Sequence, residues 1–305
     1  MQKRFIIATM VVIGLLETGT PSQAKLNVVV STPDFGSIAR EIGGDGVEVT
    51  SLAKGTEDVH FVDAKPSFIR ILNRADVLIE GGADLEAGWL PPLVLNARNP
   101  KIQLGQPGRI IAADVVRLIE VPTGSIDRSL GDVHPFGNPH FTMDPVNGRL
   151  IARLIGERFC AIKPADCGRF NDHLKQFEDK IGSRLAVWEK QMGPLRGTKA
   201  ISYHKSFSYF AERFGLRVVN TIEPKPGIPP SASHIRDLVG QMKAEGVRLI
   251  LIEPNRERKT PSFLAQETGA KIAMLPSMVG GTREAQDYFS LFDDVIQKIL
   301  AAVSS

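Results

Sequence analysis

Residues 169–192 read RFNDHLKQFEDKIGSRLAVWEKQM, and the placing of apolar side chains in this stretch decides the fold. Phe170, Leu174, Phe177, Ile181, Leu185, Trp188 and Met192 recur at spacings of three and four, which is the repeat of one helix with a continuous apolar stripe. A helix of about six turns with such a stripe is a connector packed along whatever lies on either side of it. A Gly/Ser-rich linker would let flanking units swing, whereas a packed helix restricts them. Gly182 is a soft spot in this helix but not a break.

On both sides of the connector the chain alternates strand-like and helical runs. Before it come Leu26 to Val30, Val47 to Leu52 and the buried run Val77-Leu78-Ile79. These are separated by helical segments at Phe35 to Ile42 and Lys65 to Ala75, and a third helix at Leu85 to Ala97 is interrupted near Pro91-Pro92. After it, strands are expected at Ala200 to Ser202, Val218 to Asn220, Leu249 to Ile252 and Ile272 to Met274. Helices at Ser206 to Phe214, Ser233 to Ala244, Pro261 to Glu267 and Ala285 to Val303 fill the gaps. This is an α/β fold of two lobes, each expected to have its own core. The Gly-, Ser-, Asp- and Pro-rich stretch Val121 to Gly137 reads as loop.

The N-terminus and the cysteines indicate a compartment. Met1 to Arg4 is positively charged, Phe5 to Leu16 is apolar, and Ser22-Gln23-Ala24 is a small-x-small cleavage signal, the layout of a removed secretory signal. The apolar run is shorter than the roughly 20 residues that span a bilayer. No cysteine stands near the cleavage point to accept a lipid. A 24-residue leader taken from 305 residues leaves 281, divided as lobe 25–168, connector 169–195 and lobe 196–305. The net charge of +3 falls to +2 without Lys3, Arg4 and Glu17, too small an excess for a nucleic-acid footprint. Cys160 and Cys167 are the only cysteines, close enough for an oxidising compartment to join them. Two buried free thiols and a two-thiol metal site are the alternatives. A soluble periplasmic monomer is the expectation.

Three histidines fall on strand-to-helix loops, where ligands bind in open α/β sheets. His60 follows the second strand, His204 follows the first strand of the second lobe, and His140 precedes a helix that Asp144 caps with Pro145 in its first turn. A single such histidine is more simply a hydrogen-bonded loop residue. Three that converge form a nitrogen site for zinc. His134 is a possible auxiliary ligand, while His173 and His234 read as structural or exposed, and Trp89 as packing.

The segments Asp58-Val59-His60 with Lys65-Pro66-Ser67, Gly137-Asn138-Pro139-His140 ending in Met143-Asp144-Pro145, and Tyr203-His204-Lys205-Ser206-Phe207 resemble the ligand segments of periplasmic zinc/manganese-binding proteins of ABC transporters. Ile222 to Ser231 and Leu251-Ile252-Glu253-Pro254 extend the resemblance over nearly the whole mature chain. The resemblance implies two lobes on a backbone helix, a metal in the cleft between them held by His60, His140 and His204, and delivery to a membrane permease. It implies no catalysis. Members that prefer manganese often carry a carboxylate at the third position, where this chain has His204, so Zn2+ is expected over Mn2+. Many members supply an Asp as fourth ligand where this chain has Pro276, and water, Glu223, Glu253, Glu57 or Asp58 are the candidates left. The long His/Asp-rich loop of some relatives is reduced here to His134. Two other classes fit three histidines less well. A zinc hydrolase would use metal-bound water, but no His-Glu-x-x-His helix or acid/base pair accompanies the histidines. An adhesin-like surface protein would not need them.

Overall fold

The computed structural model describes residues 24–124, 134–225 and 227–304. Residues 1–23, which hold all but the last residue of the expected leader, residues 125–133 of the Val121–Gly137 loop, Pro226 and Ser305 lie outside the described residues. Two four-stranded sheets, parallel at every pairing, form the frame. The first contains β1 (Leu26–Val30), β2 (Val47–Ser51), β3 (Val77–Glu80) and β4 (Arg109–Ile111) in the order β2-β1-β3-β4. The second contains β5 (Lys199–Ser202), β6 (Arg217–Thr221), β7 (Leu249–Ile252) and β8 (Lys271–Met274) in the order β6-β5-β7-β8. Each order reverses direction beside its first strand, leaving a crevice past the carboxyl ends of β1 and β3 in one lobe and of β5 and β7 in the other.

Helices α1 (Pro33–Gly43), α2 (Pro66–Asn73), α3 (Leu90–Ala97) and α4 (Pro145–Ile162) belong to the first lobe. Helices α6 (Ser208–Phe214), α7 (Ala232–Glu245), α8 (Lys259–Thr268) and α9 (Tyr288–Ser304) belong to the second, and α5 (Cys167–Met192) connects them as one helix of 26 residues. Gly182 sits inside it, as expected. The interruption expected near Pro91-Pro92 is absent: these prolines stand in the first turn of α3, where a missing N–H costs nothing, and residues before Leu90 form turns. Strand β4 is an addition to the sequence reading.

The expectation of a separate core for each lobe is corrected. One face of β1 and β3 (Val28, Val30, Val77, Ile79) and one face of β5 and β7 (Ala200, Leu249, Leu251) belong to a single buried cluster. Phe170, Phe177, Ile181, Trp188 and Met192 of α5 run through that cluster, together with Tyr288, Phe292, Val295 and Ile299 of α9. The apolar stripe of α5 is the centre of the molecule because two lobes pack against it at once. The opposite faces are local: Val29 and Leu78 pack under α2 and α3, and Ile201 and Ile250 under α7 and α8. Strand alternation dictates this split.

The lobes also meet through polar contacts. Val279 N–H donates to Asp34 Oδ1 (2.7 Å), Tyr288 N–H to Ser37 Oγ (2.9 Å) and Tyr288 O–H to the Thr142 carbonyl (2.6 Å). At Gly55 a Cβ would stand 2.0 Å from the Val279 carbonyl, so only glycine permits the two loops to touch backbone to backbone. Cys160 and Cys167 are joined by a disulfide between the end of α4 and the start of α5.

Candidate metal centre

Each of the three histidines is held by a different device. His60 lies in the loop between β2 and α2, where Asp58 Oδ1 accepts its backbone N–H (3.1 Å). The buried Trp89 indole donates to the Val59 carbonyl (2.8 Å), so this tryptophan fixes the loop one residue from His60. His140 is clamped by Asn138, whose Oδ1 accepts both the His140 backbone N–H and its ring Nδ1–H at 2.9 Å. Asn138 is itself tied across the cleft: its amide donates to the Lys205 carbonyl (2.9 Å), and Tyr209 O–H donates to the Asn138 carbonyl (2.8 Å). Past His140, Asp144 caps α4 by accepting from Val146 N–H and binds Arg213 of α6 through two contacts of 2.9 and 2.8 Å. His204 follows β5 and its Nδ1 donates to Glu223 Oε2 at 2.8 Å, both side chains being buried.

These anchors leave Nε2 of each ring aimed at a common point. One nitrogen from each of His60, His140 and His204 lies within 4.8 Å of the others. The Nε2 atoms of His60 and His140 are 3.2 Å apart, close to the roughly 3.3 Å between ligands of a tetrahedral ion with Zn–N bonds of about 2.0–2.1 Å. His204 Nε2 is buried without a partner. Burial first, and the neighbouring histidines second, push His60 down to about 3 and His140 well below the usual histidine range; Asp58 opposes this at His60. Both are neutral at physiological pH, the form that binds metal. Glu223, Asn138 and their partners fix the ring orientation, as acceptors behind metal-binding imidazoles do.

Of the carboxylates proposed for the fourth position, Glu223, Asp58 and Glu57 are engaged elsewhere. Glu223 holds His204 and accepts from Arg256 (3.2 Å), and Arg256 also pairs with Asp58 of the other lobe (3.2 Å). Glu57 accepts from Lys54 N–H (3.0 Å). Glu253 accepts from Ser206 Oγ with one oxygen, while its other oxygen is buried and unpartnered beside a cavity of about 40 Å3 that His140, Asp34 and Thr32 also line. Among the described residues no carboxylate joins the three-histidine cluster. Sequence reasoning missed Asn138, whose signal was its place in the Asn-Pro-His box, and Arg256, which had none. His173 donates to, or accepts near, nothing in the cleft; its Nδ1 bonds the Ile42 carbonyl (3.0 Å), and His234 Nε2 bonds the Thr221 carbonyl (3.0 Å).

The family of zinc-uptake complex component A, periplasmic, matches residues 28–302. The chain belongs to this family. The manganese ABC transporter substrate-binding lipoprotein PsaA of Streptococcus pneumoniae serotype 4 is 22% identical over 288 residues, which is 92% of this chain and 90% of that protein. The high-affinity zinc uptake system protein ZnuA of Brucella abortus is 23% identical over 150 residues, 49% of this chain and 45% of its own length. A crystal structure of ZnuA superposes with a TM-score of 0.76 at 24% identity, covering 91% of this chain and 99% of that one. A Mn-bound periplasmic metal binding protein from Candidatus Liberibacter asiaticus gives 0.75 at 21% identity over 92% and 99%. These structures share the fold of two parallel sheets on a long helix, and the family is one of substrate-binding transport proteins.

Proposed function

We propose that the chain is an extracytoplasmic solute-binding protein that takes up one divalent ion, zinc in preference to manganese, between its lobes and delivers it to the membrane permease of an ABC transporter. It works as a monomer in the periplasm after removal of a signal at residues 1–24. His60, His140 and His204 are the ligands, and the ion is cargo. The convergence of three imidazoles within 4.8 Å carries this reading. An array of imidazole nitrogens follows the Irving–Williams preference for zinc over manganese, and among the described residues no carboxylate in the cluster offsets it. His60 and His140 are already neutral and take the ion without releasing a net proton, so acid weakens binding only where it protonates these rings. The continuous core makes the two lobes one body, which suits a carrier presenting its cargo in a fixed frame.

The test is metal content of untagged protein from the extracytoplasmic fraction, followed by chelator competition on the wild type and on His60→Ala, His140→Ala and His204→Ala. One zinc per chain, with affinity weakened by orders of magnitude in each variant, is expected. Near-native affinity in any variant removes that residue from the site, and no stoichiometric metal overturns the proposal. Hydrolysis of esters or peptides by the zinc-loaded protein would favour an enzyme instead.

A further inference from the structure

We propose that His134 supplies a fourth imidazole nitrogen to the ion held by His60, His140 and His204, making the centre an all-nitrogen one. This rests on the metal-binding reading above. The His134 ring stands 4.9 Å from the His60 ring, as near as the other rings are to one another, although its nitrogens lie outside the group of three within 4.8 Å and would move inward to join the ion. Its Nε2 is buried and has no hydrogen-bond partner, the same condition as Nε2 of His204. Both residues, with His140, line one cavity of about 60 Å3, which has room for an ion together with water.

The other ring nitrogen explains the orientation. His134 hydrogen-bonds the backbone of Asp84, and with Nε2 unpartnered the bond must run from Nδ1–H to the Asp84 carbonyl. That fixes the tautomer with its lone pair on Nε2, the arrangement a backbone carbonyl imposes on metal-binding histidines. The carbonyl is presented by an unusual run of backbone: Gly82, Ala83 and Asp84 have φ of 72°, 50° and 71°. Left-handed conformations at Ala and Asp carry a cost that the surrounding structure must hold in place, and such strain gathers at ligand sites. The vacancy in the donor set points the same way. Position 276 is a proline with no side-chain donor, Asp58, Glu57 and Glu223 are each engaged with a cation or a backbone N–H, and Glu253, with one buried oxygen unpartnered, is the one rival donor among the four carboxylates.

The experiment is zinc K-edge X-ray absorption on the zinc-loaded wild type, His134→Ala and His60→Ala, with chelator competition on the same samples. Melting of each metal-free variant reports whether the fold is intact. Four imidazoles are expected in the wild type. His134→Ala should show three imidazoles plus an oxygen donor and an affinity at least about tenfold weaker, or about 1.4 kcal/mol. Three imidazoles in the wild type overturn the proposal without reference to any variant, and so does an unchanged shell and affinity in His134→Ala. A wild type that holds no zinc, or a His60→Ala that holds it as tightly as the wild type, defeats the functional reading instead.

Discussion

Replacing Glu223 with Gln tests whether the carboxylate behind His204 tunes the site or merely fills space. Glu223 Oε2 accepts the His204 Nδ1–H at 2.8 Å, and Oε1 accepts from Arg256 at 3.2 Å, with both carboxylate oxygens removed from bulk water. Gln keeps the size and one acceptor. It loses the negative charge that makes His204 Nε2 a better donor to a cation, and it turns an N–H2 towards either His204 or Arg256. Removing a comparable partner behind a metal-binding histidine costs about 10–100-fold in affinity, or about 1.4–2.8 kcal/mol. The fold should tolerate the change better than that, because Arg256 retains Asp58 at 3.2 Å and is not left as an unpaired buried charge. Zinc affinity by chelator competition and melting of the metal-free protein separate the two effects. An affinity within about twofold of wild type, far inside the expected 10–100-fold loss, would refute the assignment of Glu223 as the residue that orients and polarises His204.

The disulfide between Cys160 and Cys167 closes a loop with a sequence separation of 7 at the far end of α4 from His140, so Cys160→Ser with Cys167→Ser should destabilise the protein by about 2–3 kcal/mol in urea while leaving zinc affinity unchanged; loss of zinc binding in a folded double variant would contradict this. Asp34 is buried with one oxygen orphaned, and burial raises its carboxyl to about 6, above its ordinary 3.8. Its folded form therefore holds the proton more tightly than the unfolded chain, and the stability it contributes is full below about pH 4 and lost as pH rises through about 6. Metal-free Asp34→Asn, measured against wild type so that the histidines cancel, should gain on the order of 3 kcal/mol in relative stability between pH 4 and 7, and a difference that is flat with pH would show Asp34 to be ionised throughout. Phe177→Ala in the shared core should cost about 3–5 kcal/mol and calorimetry should show one transition for both lobes; two separated transitions would contradict the continuous core.

Some of this was legible in the chain. The Val28-Val29-Val30 run is apolar without alternation because β1 is covered on both faces, and that is why the segment read as a strand. The α5 stripe was legible because a helix interval of three and four needs no tertiary knowledge. The histidines were legible because parallel sheets place ligand loops after strands. Periodicity names the buried face but not its neighbour, so the α5 stripe did not reveal that both lobes share it. Strand β4 has three residues, too few for a pattern, and the Pro91-Pro92 pair looks the same at a helix start as at a break. The Asp58–Arg256–Glu223 bridge joins charges from three loops far apart in sequence, and nothing local marks such an encounter.

The central claim is that His60, His140 and His204 together hold a zinc ion between the lobes. Anomalous diffraction at the zinc edge from crystals of the zinc-loaded protein tests it most directly. A single strong peak within about 2.0–2.1 Å of a nitrogen from each of the three rings is the predicted result. A peak elsewhere with the three-histidine cleft empty, in protein shown to carry one zinc per chain, would contradict it.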